Sequence, residues 1–176
     1  MENKLELLIY HCSATRPNQG FDWKNVKQWH ENRWYQGAIG YRCIFHDNGF
    51  VKKMRDANIN DIVEPNEVTF GAKGINYKSH HFCYMGGMDN FTLMPADTRS
   101  DACKEQMAKA TFFYIEKMNP DIKIAGHNQF DNKACPSFMA ADWLREIGVP
   151  EKNILDTDPF GYREYFKYLK RLAKRK

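Results

Sequence analysis

The stretch "DIKIAGHNQFDNKACPSF", residues 121–138, starts as a strand and ends as a loop loaded with reactive groups. Ile122, Ile124 and Ala125 make a short apolar run that delivers His127, and Cys135 follows eight positions later. Pro136 biases Cys135 toward extended backbone, a conformation that can project its sulfur out of the loop. Lys133, two residues earlier, brings a cation to the same place. An imidazole, an amine and a thiol at the trailing end of a buried strand put the chemistry at the edge of a sheet, where open sheets bind ligands.

The other strands of such a sheet are readable upstream. "KLELLIYH", residues 4–11, is a buried strand that ends at His11, and "SATRPNQG" after it is a polar loop. Asp22 is a good N-cap for a short helix from Phe21 to His30. In "GAIGYRCIFHDNGFVKKM", residues 37–54, Tyr41 to Phe45 rises, "HDNG" turns and Phe50 to Met54 returns as a hairpin. "SHHFCYMGG", residues 79–87, is a strand closed by Gly86 and Gly87, whose turn borders the expected groove. The spacing predicts a long helix from about Thr98 to Lys117, with Thr98 and Asp101 at its start, and another from about Met139 to Ile147. The fold class expected is α+β, a single domain with a central mixed β-sheet flanked by helices. Residues 1–158 form its body and residues 159–176 a basic amphipathic helix.

If the strands ending at His11 and His127 are parallel neighbours, then His11, His127 and Cys135 meet at one sheet edge. Two imidazoles and a thiolate suit a tetrahedral Zn²⁺ whose fourth position stays open, the form of a catalytic site. Lys133 can aim its cation at the oxyanion that develops on an attacked carbonyl. His80 and His81, adjacent on one strand, face opposite sides and are expected to be structural, as are His30 and His46. Cys12, Cys43, Cys83 and Cys103 are expected as core thiols, and five cysteines without paired spacing argue against a disulfide framework.

Several motifs in chain order resemble the zinc-dependent N-acetylmuramoyl-L-alanine amidases. These are "HCSAT", "WH" before a "W…IGY" segment, "DNG" in the hairpin, "AKGIN" before "GGMD", and "GHNQF…KACPSF". The pattern is most similar to phage lysozymes of T7 type, which share their domain with peptidoglycan-recognition proteins, and it runs from about residue 5 to residue 147. The resemblance implies metal ligands at His11, His127 and Cys135, with Tyr41 and Lys133 assisting catalysis. It implies hydrolysis of the amide between N-acetylmuramic acid and the L-alanine of the stem peptide. Recognition proteins of this fold that bind without cutting typically lack the cysteine, so Cys135 favours an enzyme. A non-catalytic peptidoglycan-binding module and a cysteine hydrolase built on Cys135 and His127 are the alternatives. There are two departures from the family pattern: Arg42 and Gly71 stand where relatives often have histidines.

Composition sets the remaining limits. A chain of 176 residues, 43% hydrophobic and 14% aromatic, is about one domain long. No apolar run is long enough to cross a bilayer, and the N-terminus lacks the pattern of a signal peptide. The expectation is synthesis in the cytoplasm, with access to the cell wall through a holin-like lesion or another delivery route. Residues 161–176 hold seven Lys and Arg against one Glu, so the tail nets +6 while the whole chain nets +4. Docking of this helix on the domain is the favoured expectation, and an anionic envelope surface is its other partner. No aromatic stacking platform points to nucleic acid.

Overall fold

Five strands form one mixed sheet in the order β3-β2-β4-β1-β5 in the computed structural model, which describes residues 3–174. Met1, Glu2, Arg175 and Lys176, which enter the readings of the N-terminus and the basic tail, lie outside the described residues. β1 is Leu7–Cys12, β2 Cys43–Phe45, β3 Val51–Lys53, β4 Ser79–Tyr84 and β5 Lys123–Gly126. β1 runs parallel to both β4 and β5, and β2 is parallel to β4 and antiparallel to β3. The hairpin is in place, with Cys43 opposite Lys53 and Phe45 opposite Val51.

All six residues of β1 and of β4 are buried, because both faces of the sheet are covered. On one face Leu8, Tyr10, Phe82 and Tyr84 pack with residues of α2 (Asp101–Phe113) and α3 (Ala140–Glu146), among them Cys103, Met107, Trp143 and Leu144. Each such side chain taken fully out of water contributes roughly 1.5–3 kcal/mol. On the other face Ile44, Cys83 and Met85 meet Val26 of α1 (Trp23–Arg33), while Leu7 and Ile9 meet Ala72. Strand alternation therefore sends Tyr10 and Cys12 into the main core and His11 to the opposite face.

The helix starts follow cap chemistry. Asp22 accepts a hydrogen bond from the Lys24 amide at 2.7 Å and caps α1, as expected. α2 is capped by Ser100, whose Oγ accepts from the Cys103 amide at 3.0 Å. Thr98 lies outside the helix, and its hydroxyl accepts from the Gly87 amide instead. Beyond Phe113 the chain continues as a π-type turn, Tyr114–Met118. α4 (Tyr162–Ala173) is amphipathic, with Phe166 buried, Lys167, Lys170 and Arg171 exposed, and Arg163 half-buried against Asp142 and Asp156. No helix among the described residues is long and apolar enough to cross a membrane.

The direction of the Tyr41 strand is not readable from the sequence. β2 is parallel to β4 and hence to β1. Tyr41 precedes β2 at its lower end, and its side chain reaches His11 across the face of the sheet. Strand direction is set by long-range pairing, which local pattern does not encode.

Candidate metal centre and cleft

The register of β1 and β5 builds the centre. Tyr10 pairs with Gly126, so the next residue of each chain, His11 and His127, stand side by side with ring centroids 4.5 Å apart. From the loop after β5 the Cys135 Sγ comes within 3.7 Å of His11 Nδ1 and accepts the Cys12 amide at 3.3 Å. The Cys135–Pro136 peptide bond is cis. One ligand atom from each of His11, His127 and Cys135 lies within 4.8 Å of the other two. Zn–S and Zn–N bonds of ordinary length meeting at a tetrahedral angle separate sulfur from nitrogen by about 3.6 Å. The donor set fits a metal ion in chemistry and in spacing.

The electrostatics suit neutral ligands. Burial, then the neighbouring His127 and His81, pushes His11 well below the ordinary imidazole value. Burial, then Lys133, lowers His127 to about 4. Each ring therefore keeps a lone pair at neutral pH. Burial pushes the Cys135 thiol up, a cost that a bound cation would reverse by stabilising the thiolate.

A cleft of about 610 Å³ opens over this cluster, lined by His127, Cys135, Tyr41, Lys133, His30 and Gly71 among others. The Tyr41 ring sits 5.0 Å from His11 and 5.0 Å from His30. Burial holds its phenol well above the ordinary value, so it remains a hydrogen-bond donor. Lys133 is largely exposed, and its ammonium lies 2.7 Å from Asp131 Oδ2. The same oxygen is 3.9 Å from His127 Nε2.

Three neighbours were not singled out as functional from the sequence. His30, read as the end of a helix, lines the cleft, and its Nδ1 accepts from the Gly40 amide at 3.1 Å. Asp131 links Lys133 to His127. His81, read as structural, is bonded to His11: its Nδ1 is 3.0 Å from His11 Nε2. The "WH" motif pointed at His30, but nothing local marked the other two. His80 does face the other way, toward Arg42 at 3.3 Å and the Tyr114 hydroxyl at 2.9 Å. Arg42 is thereby occupied as a buried strut behind the sheet. All five cysteines are free.

A single mixed sheet with its helices, carrying a His/His/Cys cluster in an open cleft, defines the amidase and peptidoglycan-recognition class of fold. Solved structures share it: the N-acetylmuramoyl-L-alanine amidase LysC from Clostridium intestinale URNW has TM-score 0.64 at 14% identity, over 85% of this chain and 88% of that one. The Apis mellifera PGRP-SA has TM-score 0.63 at 16% identity, over 89% of this chain and 93% of that one. No protein-family model matches the chain. The endolysin of Enterobacteria phage T3 is 30% identical over 159 residues, spanning 89% of this chain and 92% of the relative. The chain belongs to the phage endolysin family of T7 type.

Proposed function

We infer that this endolysin is a zinc-dependent N-acetylmuramoyl-L-alanine amidase that hydrolyses the amide joining N-acetylmuramic acid to the stem-peptide L-alanine. The observation that carries this reading is the convergence of His11, His127 and Cys135 at the floor of a cleft that also presents Tyr41 and Lys133. The two imidazoles and the sulfur would hold the ion. When bound, zinc supplies a Lewis acid for the scissile carbonyl and makes water a nucleophile at neutral pH.

The protein's own groups then act on the bound peptide. Tyr41, protonated and tilted against the His11 ring, donates a hydrogen bond to the carbonyl oxygen or relays a proton toward the leaving amine. Lys133 stabilises the charge that develops on that oxygen once substrate draws it from Asp131. The volume of the cleft, about 610 Å³, leaves room for a peptide with its sugar, which makes a peptidoglycan stem the fitting partner. The outward basic face of α4 supports an additional attraction to anionic envelope surfaces. Delivery to the wall would take a membrane lesion of the holin kind.

The test joins metal analysis of the purified protein to mass spectrometry of digested cell walls. The expected result is one equivalent of zinc and free stem peptides that begin at L-alanine. Broken glycan with intact stems would end the amidase reading. Binding without cleavage would leave a recognition module, and activity that survives metal removal but not thiol alkylation would indicate a cysteine hydrolase.

A further inference from the structure

We propose that His81 is a positioning residue for the metal centre: it fixes the proton of His11 on Nε2 and so aims a bare Nδ1 at the metal position, and Gly71 is glycine to leave room for it. The inference rests on the metal reading above, but the hydrogen bonds that carry it are independent of any ion.

The deduction starts from a backbone carbonyl. Ser79 Oγ donates to the Ile75 oxygen at 2.7 Å, and a hydroxyl has only one proton to give. Toward His81 Nε2, 2.9 Å away, Ser79 must therefore accept, so His81 carries its proton on Nε2. The ring is fully buried and lacks a carboxylate partner among the described residues, so it is neutral and its Nδ1 is a lone pair. That lone pair lies 3.0 Å from His11 Nε2, which must donate to it. Neutral His11 has then spent its one proton, and its Nδ1 faces Cys135 Sγ as a ligand. A ligating imidazole held through its second nitrogen keeps one tautomer and one orientation.

Gly71 supplies a second and separate observation. Its φ is not among the positive values, so backbone conformation does not call for glycine. Space does: a Cβ there would lie 2.8 Å from His81 Cδ2 and overlap Cγ and Nδ1 outright. Cγ is attached directly to the Cβ of His81, so the ring cannot move aside and still reach both Ser79 and His11. A side chain at position 71 and the imidazole of residue 81 exclude each other, which accounts for the departure from the family pattern at Gly71.

The test uses the intact protein, with zinc affinity measured by competition against a chromophoric chelator and the His11 tautomer read from ¹⁵N NMR of the metal-free form. In the unmodified protein the His11 proton is expected on Nε2. His81→Ala and Gly71→Ala should each weaken zinc binding by about 10- to 100-fold, the second without altering any imidazole. His81→Gln, whose amide can accept from His11 and donate to Ser79, should recover most of the loss. A His11 proton on Nδ1, or wild-type zinc affinity in either alanine variant with its fold intact by circular dichroism, would overturn the proposal. A wild-type protein that binds no zinc but shows the Nε2 tautomer would refute the metal reading and leave the relay standing.

Discussion

His11 and Cys135 are 124 residues apart in the chain, yet the sulfur of one lies 3.7 Å from the Nδ1 of the other. That approach is the product of two parallel ladders and one loop: β4 and β5 clamp β1 from both sides, and the turn after β5 swings Cys135 back over the strand end. Such a contact is specified by the fold as a whole, and substitutions at the centre should separate binding from rate.

Cys135→Ser should remove zinc and activity together, because a hydroxyl replaces the only anionic ligand of the three. Lys133→Ala and Tyr41→Phe should keep the zinc and lose rate, by about 10²- to 10³-fold for a lost oxyanion donor and about 10²- to 10⁴-fold for a lost proton relay. Metal analysis beside turnover on purified muropeptide checks this. Full zinc content in Cys135→Ser, or full rate in Lys133→Ala, would remove the assigned role.

A chelator should abolish activity, and added Zn²⁺ should restore it. The ion should also raise thermal stability, since it binds only the folded arrangement: at a free concentration of 1,000 times Kd the gain is about 4 kcal/mol. Thermal unfolding scans at graded zinc concentration should show a midpoint that climbs steadily. A midpoint indifferent to zinc would mean that the three side chains do not ligate it.

How far the sequence could be read depends on the range of the interaction involved. Apolar runs and the "HDNG" turn are local signals, so the strands ending at His11 and Gly126 and the hairpin of β2 and β3 were legible within a residue or two. Strand ends and donor chemistry only suggested the His11, His127 and Cys135 cluster; the resemblance to the zinc amidases, several motifs in register, singled it out, and the three side chains do converge. The parallel direction of β2 was not, since it depends on pairing with β4, some forty residues away. Alternation correctly separated His80 from His81, but it could not say that one of them would bond to His11. Ser100 and Thr98 are both good cap residues, and tertiary bonds chose between them: Ser100 Oγ also reaches the Asp47 carbonyl at 2.5 Å.

Arg99 should prove essential to the wall that carries Cys135. Its guanidinium is buried, forms two 2.8 Å bonds to Asp97, and lies 3.4 Å from the centre of the Phe138 ring and 4.5 Å from that of Trp143. Burial raises the Asp97 carboxyl, but the paired Arg99 outweighs it and holds the group below its ordinary value. Arg99→Ala should cost about 3–5 kcal/mol, since it strands a partly buried carboxylate. Arg99→Lys should not rescue it, because an ammonium offers neither the fork nor the stacking plane. Urea unfolding of the two variants measures both, and a lysine variant as stable as wild type would show that only the charge matters.

The metal-free protein should lose stability steadily as pH falls below about 6.5, and His80 supplies part of the slope. Burial, then the Arg42 charge, lowers its folded value to about 3 from 6.5. Its Nδ1 receives Arg42 and the Tyr114 hydroxyl, so its proton sits on Nε2. Glu67, 4.0 Å from that nitrogen, is already bonded to the amides of Asn58 and Glu64. Between pH 6.5 and 3 the unfolded chain therefore binds a proton that the folded chain refuses. The contribution is complete above the unfolded value and is lost on acidification, by about 1.4 kcal/mol per pH unit for one fully linked proton. His11, His81 and His127 shift in the same direction and add to it. His80→Asn keeps an acceptor toward Arg42 but cannot titrate, so its chelated form should show a pH slope shallower by up to one proton. Matching slopes for the variant and the parent in urea unfolding between pH 7 and 5 would mean that His80 takes up its proton in the folded state.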